Sequence, residues 1–325
     1  MNALRVAVVA GGPSSEAAVS RASAAGVERA LEAAGHRPTR LELGPGAAAA
    51  LTAGEFDVVF PVAHGPLGED GCLQGLLEVL GLPYVGSGVL ASALAASKPA
   101  AKAMFRRAGL PVAEEVLVRR GDDAARAAAG LRARLGRAVF IKPANGGSAI
   151  GVARVLAADD DAVAVAALAA AHAVDELALA EPLLVGAEVT CGVLEDERGA
   201  PRALPPTLIR SQAGDWYDFK SKYAAGGSLH ECPAPLPLEL FARVQELAVG
   251  AHRAVGARDL SRVDFVVGDD VTLLEINTLP GMTATSLFPE AAAAAGLPFP
   301  ELCERLVRAA LARPARFTPA EQAMP

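Results

Sequence analysis

The 325-residue sequence has few aromatic side chains and no long apolar run, and each shortage excludes a class of protein. Phe, Trp and Tyr make up 4% of the chain, which argues against the aromatic stacking platforms of single-strand nucleic-acid binders. No run of about 18 uninterrupted apolar residues occurs, so neither a transmembrane helix nor a membrane partner is predicted. Lys and Arg total 30 against 37 Asp and Glu, and no basic block accumulates. Nucleic acid is therefore not an expected partner.

Cysteines are also scarce. The four of them, Cys72, Cys191, Cys232 and Cys303, are widely separated and form no Cys-x-x-Cys pair. This pattern is typical of reduced thiols in a cytoplasmic protein and argues against a structural zinc site. The chain begins with a single Arg before an apolar run that ends in Gly-Gly-Pro, without a small-residue cleavage pattern. We interpret this start as a first β-strand, not a signal peptide, and expect a cytoplasmic location.

Hydrophobic residues are abundant at 52%, mostly Ala, Val and Leu, which is ample for a core. The length favours two or three domains. Strands and helices alternate up to about residue 90, which indicates an open α/β domain. Two further blocks of mixed α and β structure follow. We therefore predict an α/β protein with domains at 1–92, 93–182 and 183–325.

The expected elements follow from apolar periodicity and from turn and capping signals. Strands are predicted at 4–10, 37–42, 56–63, 83–85, 115–118, 138–142, 152–156, 177–181, 188–194, 262–267 and 271–277. Helices are predicted from a cap at Ser14 or Ser15 to about residue 34, and at 73–80, 92–108, 159–173, 238–255 and 300–312. The stretch around 211–233 is predicted to be a polar loop.

The segment RVDFVVGDDVTLLEIN, residues 262–277, predicts an acidic hairpin. If its turn centres on Asp269 and Asp270, Asp264 lies opposite Glu275, and Arg262 lies opposite Asn277. Alternation with a period of two then puts these four side chains on one face. Facing carboxylates repel each other unless a cation lies between them, and Asp, Glu and Asn oxygens suit Mg²⁺. A solvated polar face on an edge hairpin is the alternative interpretation.

A second candidate is the run KPANGGSAIG, in which Lys142 ends a strand and a glycine-rich turn follows. Such a turn lets backbone N–H groups approach phosphate oxygens while the lysine supplies charge. It is not a Walker loop, because no Gly-Lys-Ser/Thr ends it and a strand follows. A flexible hairpin turn is the alternative.

Three other features could carry chemistry. Glu16 stands at a helix start, where an acidic residue also complements the helix dipole. His64 follows a buried strand, at the end where open α/β domains gather ligands, although it could be a structural histidine. The loop WYDFKSKY, residues 216–223, concentrates aromatic residues and two lysines, which suits a lid closing on an anion or a structural Ω-loop.

Together these segments resemble one family over nearly the whole chain and in the right order. The segments are GGPSSEAAVS (11–20), VAHGPLGEDGCLQGLLEVLGLPYVGSGVLASALAASK (62–98), IKPANGGSAIG (141–151), YDFKSKY (217–223) and RVDFVV…LLEINTLPGMTATSL. They are similar to D-alanine–D-alanine ligases of the ATP-grasp superfamily. The resemblance implies an N-terminal open α/β domain followed by a two-domain ATP-grasp fold. It also implies an ATP-dependent ligase for peptidoglycan precursors, expected as a homodimer.

The family mechanism, placed on matching residues, implies that ATP phosphorylates one D-alanine and that the amine of a second attacks the acyl phosphate. Two Mg²⁺ ions, with Mn²⁺ as an alternative, are expected on the metal ligands Asp264, Glu275 and Asn277. Nucleotide contacts are expected from Lys98, Lys142 and Lys222 to phosphates and from Glu181 and Glu188 to adenine and ribose.

The same resemblance implies the residues around the two D-alanines. The first substrate is expected beside Glu16, which would hold its ammonium group, and beside His64. Ser148 and Tyr223 would link this site to the lid. Arg262 and the Gly281 N–H would stabilise the oxyanion. The second substrate is expected at Ser286 and Leu287.

The chain departs from the family pattern at several positions near the nucleotide. The departures are Gly146, Ala149, Ser97, Pro182, and the pair Phe219 and Lys220. None of them removes a metal ligand or the lid tyrosine, so we expect an active enzyme with altered nucleotide affinity.

Three alternative functions compete with this one. A ligase making D-alanyl-D-lactate or D-alanyl-D-serine is the nearest alternative, and Tyr223 favours the dipeptide. A non-catalytic nucleotide-binding protein would not need the oxyanion donor Arg262. A dinucleotide-binding dehydrogenase fails for want of a Gly-x-Gly-x-x-Gly motif.

Overall fold

Three separate β-sheets organise the chain in the computed structural model, which describes residues 3–147, 150–211, 227–283 and 285–313. The sheets have three, four and six strands within these ranges. Each sheet has helices packed against it, so the architecture is mixed α/β, as predicted. The division into domains at residues 92 and 182 stays a prediction.

The first sheet is parallel, with β1 (Arg5–Ala10) between β2 (Arg37–Glu42) and β3 (Val58–Pro61). Helices α1 (Ala17–Ala33), α2 (Ala47–Ala53) and α3 (Cys72–Leu80) accompany it. The strand β1 is apolar at successive positions because it is buried on both faces. Val6 and Val8 pack into one apolar cluster, and Ala7 and Val9 pack into another.

The second sheet is antiparallel, in the order β4-β7-β5-β6. Its strands are β4 (Val116–Arg119), β5 (Val139–Pro143), β6 (Ala153–Val155) and β7 (Leu177–Pro182). Helices α6 (Ala124–Leu135) and α7 (Asp161–His172) share its apolar cluster. The small Ala side chains of both helices let them pack closely on the sheet.

The third sheet is antiparallel, in the order β11-β10-β8-β12-β13, with β9 paired to β8. Its strands are β8 (Ala187–Glu195), β9 (Pro201–Ala203), β10 (Thr207–Ser211), β11 (Ser228–Glu231), β12 (Leu260–Val267) and β13 (Val271–Asn277). Helix α8 (Leu238–Val255) packs on it. The strands β9, β10 and β11 lie in segments where no strand was predicted.

The last two helices return to the first sheet. They are α9 (Leu287–Ala294) and α10 (Phe299–Ala312). Phe288 and Leu302 from these helices share one buried cluster with Val6 of β1 and with Leu260 of β12. The N-terminal and C-terminal parts of the chain therefore share a continuous core.

The prediction of one continuous helix over 92–108 is wrong, because two helices occupy this region. These are α4 (Val89–Ala96) and α5 (Lys98–Arg107), separated by Ser97 in an extended conformation. Pro99 has no N–H to continue the helical ladder, which explains why a break falls here. Ser97 instead bridges to Asn145 in the loop after β5. The break places Lys98 at a helix start beside that loop.

Several smaller predictions are also corrected. Neither Ser14 nor Ser15 caps α1, since Glu16 holds the capping position and Ser14 Oγ accepts the Glu16 N–H at 3.0 Å. The strand predicted at 83–85 is reduced to one bridge between Tyr84 and Val59. The helices α2, α6 and α9 were not predicted.

The acidic hairpin has the predicted pairs but a different turn. Asp264 lies opposite Glu275 and Arg262 opposite Asn277. Nearer the turn, however, Val267 pairs with Val271, so the turn centres on Asp269 alone. An irregularity next to Asp264 takes up the one-residue difference. An extra residue of this kind is a β-bulge, and it restores the register that the shorter turn would have shifted.

No helix in the parts of the chain that the structure describes is long and apolar enough to cross a membrane.

Candidate active site

The predicted site residues of the hairpin gather around the Asp264 carboxylate. Arg262 donates to it twice, from Nε to Oδ1 and from Nη2 to Oδ2, both at 2.9 Å. Asn277 Nδ2 donates to Oδ2 at 3.1 Å, and Thr190 Oγ1 donates to Oδ1 at 2.5 Å. Thr190 lies on β8 directly opposite Asp264 and was not predicted. Four hydrogen bonds therefore fix the orientation of this carboxylate before any ligand binds.

Glu275 lies on the same face, and a lysine of α5 lies close to it. Lys98 Nζ lies 3.4 Å from Glu275 Oε2 and donates to the Gly146 carbonyl oxygen at 2.5 Å. The Lys98 backbone N–H also donates to the Ala144 carbonyl at 3.0 Å. Lys98 therefore joins the acidic hairpin to the glycine-rich loop, as its predicted phosphate role requires.

The hairpin residues fit a divalent metal by the chemistry of their donors. Among the described residues, no three His, Cys, Asp or Glu side chains converge in a complete cage. Asp264, Glu275 and Asn277 supply two carboxylates and one amide, all oxygen donors on one face. Mg²⁺ is usually held by one or two carboxylates together with substrate phosphates and water. A partial set of protein oxygen ligands beside a glycine-rich loop therefore fits Mg²⁺, whose remaining ligands would be substrate phosphates and water.

A second charged group lies between β5, β7 and α5. Lys142 Nζ lies 2.5 Å from Glu181 Oε2, and Lys102 Nζ contacts Glu181 Oε1. Burial by itself would raise the pKa of Glu181, but the Lys142 and Lys102 ammonium groups outweigh it and hold the pKa below its ordinary value. Burial would lower the pKa of Lys142, and Glu181 with Glu275 reverses this, so that pKa is raised. Both groups are therefore charged at neutral pH.

Glu16 stands at the start of α1, and His64 follows the carboxyl end of β3, as predicted. Glu16 Oε2 lies near the glycine-rich loop, because a Cβ added at Gly147 would be 3.9 Å from it. A Cβ added at Gly65 would be 3.8 Å from the same oxygen. The glycine-rich loop and the residue that follows His64 thus both lie next to Glu16, the residue predicted to hold the first substrate.

His64 is buried, with 7% of its surface exposed. Its Nδ1 lies 4.0 Å from Glu69 Oε2, and its Nε2 is buried without a hydrogen-bond partner among the described residues. Glu69 Oε1 accepts the Gly65 N–H at 2.8 Å, which orients the carboxylate toward the histidine. A buried ring nitrogen without a partner is costly, so a ligand that bonds to it would be favoured.

Gly281 and Ser286 lie close together at the start of α9. Ser286 occupies the capping position of this helix, and Leu287, its first residue, is buried. Ser286 Oγ accepts the Thr283 N–H at 3.0 Å and lies 2.7 Å from Thr283 Oγ1. A Cβ at Gly281 would come within 2.8 Å of Ser286 Oγ, so only glycine leaves this space open. The exposed N–H groups of a helix start suit a carboxylate.

The remaining predicted residues fall in two groups. Ser148, Lys222, Tyr223 and the departures Ala149, Phe219 and Lys220 lie outside the described residues. Glu188 lies on β8, opposite Ile209 on one side and Val266 on the other. Its role toward the nucleotide stays a prediction.

Thr190 and Lys102 are two polar or charged neighbours of the predicted site residues that the sequence analysis did not identify. Lys102 follows Lys98 by four residues, so the spacing on one helix face was the available signal. Thr190 had no such signal, since its partner Asp264 is 74 residues away in the chain.

An open α/β domain is followed by two antiparallel sheets, and Lys98 of α5 joins the glycine-rich loop of one sheet to the acidic hairpin of the other, which is the arrangement of an ATP-grasp fold. Comparison with known proteins identifies the family within this class. Family models described as D-ala D-ala ligase N-terminus and C-terminus match residues 42–87 and 104–308. The chain belongs to the D-alanine–D-alanine ligase family, whose members are ATP-dependent ligases.

Individual relatives cover almost the whole chain. A D-alanine–D-alanine ligase of Nitratidesulfovibrio vulgaris strain DP4 is 44% identical over 307 residues, which is 94% of this chain and 97% of the relative. One of Methylorubrum populi is 45% identical over 309 residues, or 93% and 96%. The solved D-alanine–D-alanine ligase of Bacillus anthracis is 31% identical, with a TM-score of 0.82 over 95% of this chain and 98% of that chain. That of Coxiella burnetii is 27% identical, with a TM-score of 0.81 over 96% and 94%.

Proposed function

We propose that this protein joins two D-alanine molecules to D-alanyl-D-alanine, converting ATP to ADP and phosphate through an acyl phosphate. The observation that carries the proposal is a continuous line of contacts across three parts of the chain. Glu275 meets Lys98, Lys98 meets Gly146, and the adjoining Gly147 lies beside Glu16. The residues expected to handle phosphate and the residue expected to hold the first D-alanine therefore lie side by side.

The metal ligands of this proposal are Asp264, Glu275 and Asn277. Two bound Mg²⁺ ions, or Mn²⁺ in their place, would neutralise the phosphate oxygens during transfer. The chain itself holds the Asp264 carboxylate in position through Arg262, Thr190 and Asn277. Lys98 and Lys142 would bind the nucleotide phosphates, and Glu181 and Glu188 would bind the adenosine. Lys222 would bind the phosphoryl group that is transferred.

The proposed amino-acid sites fit a reaction in which the first D-alanine is phosphorylated and the second then attacks it. Glu16 would hold the ammonium of the first D-alanine, with His64 beside it, so that the substrate carboxylate points to the phosphates. Ser286 and Leu287 would hold the second D-alanine by its carboxylate. Its amine would then attack the acyl carbon. Arg262 and the Gly281 N–H would stabilise the negative charge that develops on the oxyanion. Ser148 and Tyr223 would connect the first site to the lid.

The biological setting follows from this reaction. D-alanyl-D-alanine is a peptidoglycan precursor, and the enzyme would work in the cytoplasm, where ATP is supplied. We expect a homodimer.

The test is the release of phosphate from ATP and Mg²⁺ by the purified protein. Release should require D-alanine, and product analysis should identify D-alanyl-D-alanine. Equal release with L-alanine, or none with D-alanine, would contradict the proposal. Addition of D-lactate or D-serine with D-alanine, across a range of pH, tests the second site. A mixed product in preference to the dipeptide would replace this assignment by that of a depsipeptide or D-alanyl-D-serine ligase.

A further inference from the structure

Helix α5 carries three cationic side chains on one face. Lys98, Lys102 and Arg106 are spaced by four residues, which places them one above another. Lys98 meets Glu275 at the acidic hairpin. Arg106 Nη1 donates to Glu115 Oε1 at 2.8 Å, at the other end of the helix. Lys102, between the two, has no assigned part in the reaction, although it is the most deeply buried charged side chain near the site.

Lys102 is 1% exposed and lies between two carboxylates. Its Nζ is 2.8 Å from Glu115 Oε2 and contacts Glu181 Oε1. The other oxygen of Glu181 is 2.5 Å from Lys142 Nζ. One buried carboxylate is thus shared by two ammonium groups, and the second of these, Lys142, is expected to bind nucleotide phosphates.

This sharing has a consequence for Lys142. To reach a phosphate oxygen, its ammonium group must give up part or all of its contact with Glu181. A buried carboxylate that loses its only cation is strongly disfavoured. With Lys102 in place, Glu181 keeps a cation whether or not Lys142 turns away. Glu115, itself bonded to Arg106, is a second carboxylate partner of Lys102 and helps to hold it in place when Lys142 turns away.

We propose that Lys102 is a positioning residue for the nucleotide, which keeps the Glu181 carboxylate paired and so releases Lys142 to the phosphates. This inference rests on the proposed nucleotide roles of Lys142 and Glu181. It does not depend on which amino acids the enzyme joins.

A purely structural role for Lys102 makes a different prediction. In that case its function would be to neutralise Glu115, and removing both charges together would restore the wild-type enzyme. The variants Lys102→Met, Glu115→Gln and Lys102→Met/Glu115→Gln separate the two roles. Gln at 115 keeps an oxygen acceptor for Arg106 but has no charge.

The measurement is the affinity for ADP with Mg²⁺ by isothermal titration calorimetry, without any amino acid present. We expect Lys102→Met to weaken ADP binding about tenfold or more, the loss typical of one charge-assisted hydrogen bond. The double variant should regain thermal stability but stay equally weak, while Glu115→Gln alone should bind ADP as the wild type does. Wild-type ADP affinity in the stable double variant would overturn the proposal.

A double-mutant cycle with Lys142 tests the route of the effect. If Lys102 acts through Lys142, Lys142→Met and Lys102→Met/Lys142→Met should bind ADP with the same affinity. Additive losses would overturn the proposal. In turnover assays the KM for ATP should rise in Lys102→Met while the KM for D-alanine changes less than about twofold. Because ADP binding needs no amino acid, failure of the D-alanine assay would leave these binding results interpretable, so the two proposals fail separately.

Discussion

Lys98 Nζ lies 3.4 Å from Glu275 Oε2 and 2.5 Å from the Gly146 carbonyl oxygen, so one side chain joins the edge of the third sheet to the loop of the second. Lys98 reaches both partners because α4 ends at Ala96 and α5 starts anew at Lys98. The break between these helices, at Ser97, therefore decides where the Lys98 ammonium group, which we propose binds phosphate, lies relative to the carboxylates that we propose bind metal.

Replacing Glu275 by Ala should abolish turnover and leave the fold intact. The side chain is 28% exposed, so its loss creates no buried cavity, but one of the two facing carboxylates of the metal site disappears. We expect phosphate release to fall by about 10³-fold or more, since charge neutralisation at phosphate is the main task of such sites. Phosphate release and thermal unfolding are the measurements.

The control for Glu275 is Asp269→Ala, which removes an exposed carboxylate in the turn of the same hairpin. It should retain near wild-type turnover. Retained activity in Glu275→Ala would refute the metal assignment.

Replacing Gly281 by Ala should impair the second-substrate site. The new Cβ would lie 2.8 Å from Ser286 Oγ and push the hydroxyl from its contacts with Thr283. We expect kcat/KM for D-alanine to fall about tenfold or more, with little change in the KM for ATP. Steady-state kinetics with each substrate varied in turn gives both values.

The control for Gly281 is Gly130→Ala, in α6, where nothing lies near the added Cβ. Gly296→Ala is unsuitable because Gly296 has a positive φ. An equal loss in both variants would contradict the steric explanation.

Glu181 should stabilise the folded enzyme in a pH-dependent way. Its pKa is lowered in the folded state by Lys142 and Lys102 despite burial, from an ordinary value of 4.5. The stabilising contribution of its charge is therefore complete above about pH 4.5 and is lost as the pH falls through the lowered folded pKa. Wild type should exceed Glu181→Gln in denaturant midpoint at pH 7, and the difference should shrink below pH 4.5. Urea unfolding of both proteins from pH 7 to 3 measures it.

The control for this experiment is Glu197→Gln, at an exposed turn position, which should show no such convergence with the wild type. A difference between wild type and Glu181→Gln that stays constant down to pH 3 would contradict the electrostatic explanation.

Replacing Arg313 by Met should destabilise the contact between the first sheet and the third. Arg313 contacts the buried Asp259 and donates to the Tyr84 carbonyl, and Asp259 in turn accepts the Gly86 N–H at 2.6 Å. Burial raises the pKa of Asp259 even though Arg313 opposes it, so this carboxylate depends on its cation. We expect a loss of about 2–4 kcal/mol in unfolding free energy, toward the low side because Arg313 is 25% exposed.

Chemical denaturation measures this loss, and Arg313→Met/Asp259→Asn should recover most of it. The matched control is Arg202→Met, which breaks an exposed pair with Asp196 and should change stability by less than about 1 kcal/mol. A double variant as unstable as the single one would show that the charge of Asp259 is not the cause.

The acidic hairpin shows how far the sequence could predict the site. The pairing of Asp264 with Glu275 was predicted from an assumed turn at Asp269 and Asp270, and alternation with a period of two placed both side chains on one face. The turn itself is one residue shorter than assumed. Turn length and the irregularity beside Asp264 compensate each other, and only the paired strands reveal both. The prediction of the pairs is confirmed, and the prediction of the turn is wrong.

What the sequence determined by itself is the fold class, the family and the position of each motif, since apolar periodicity and short motifs are properties of neighbouring residues. What only the tertiary structure decided is which charges meet. Lys102 and Glu181 are 79 residues apart in the chain, and Thr190 and Asp264 are 74 apart. These pairs form because the Lys102 side chain of α5 reaches Glu181 of β7 and because β8 lies next to β12. Contacts between distant residues depend on how whole elements pack, and no local pattern in the sequence encodes them.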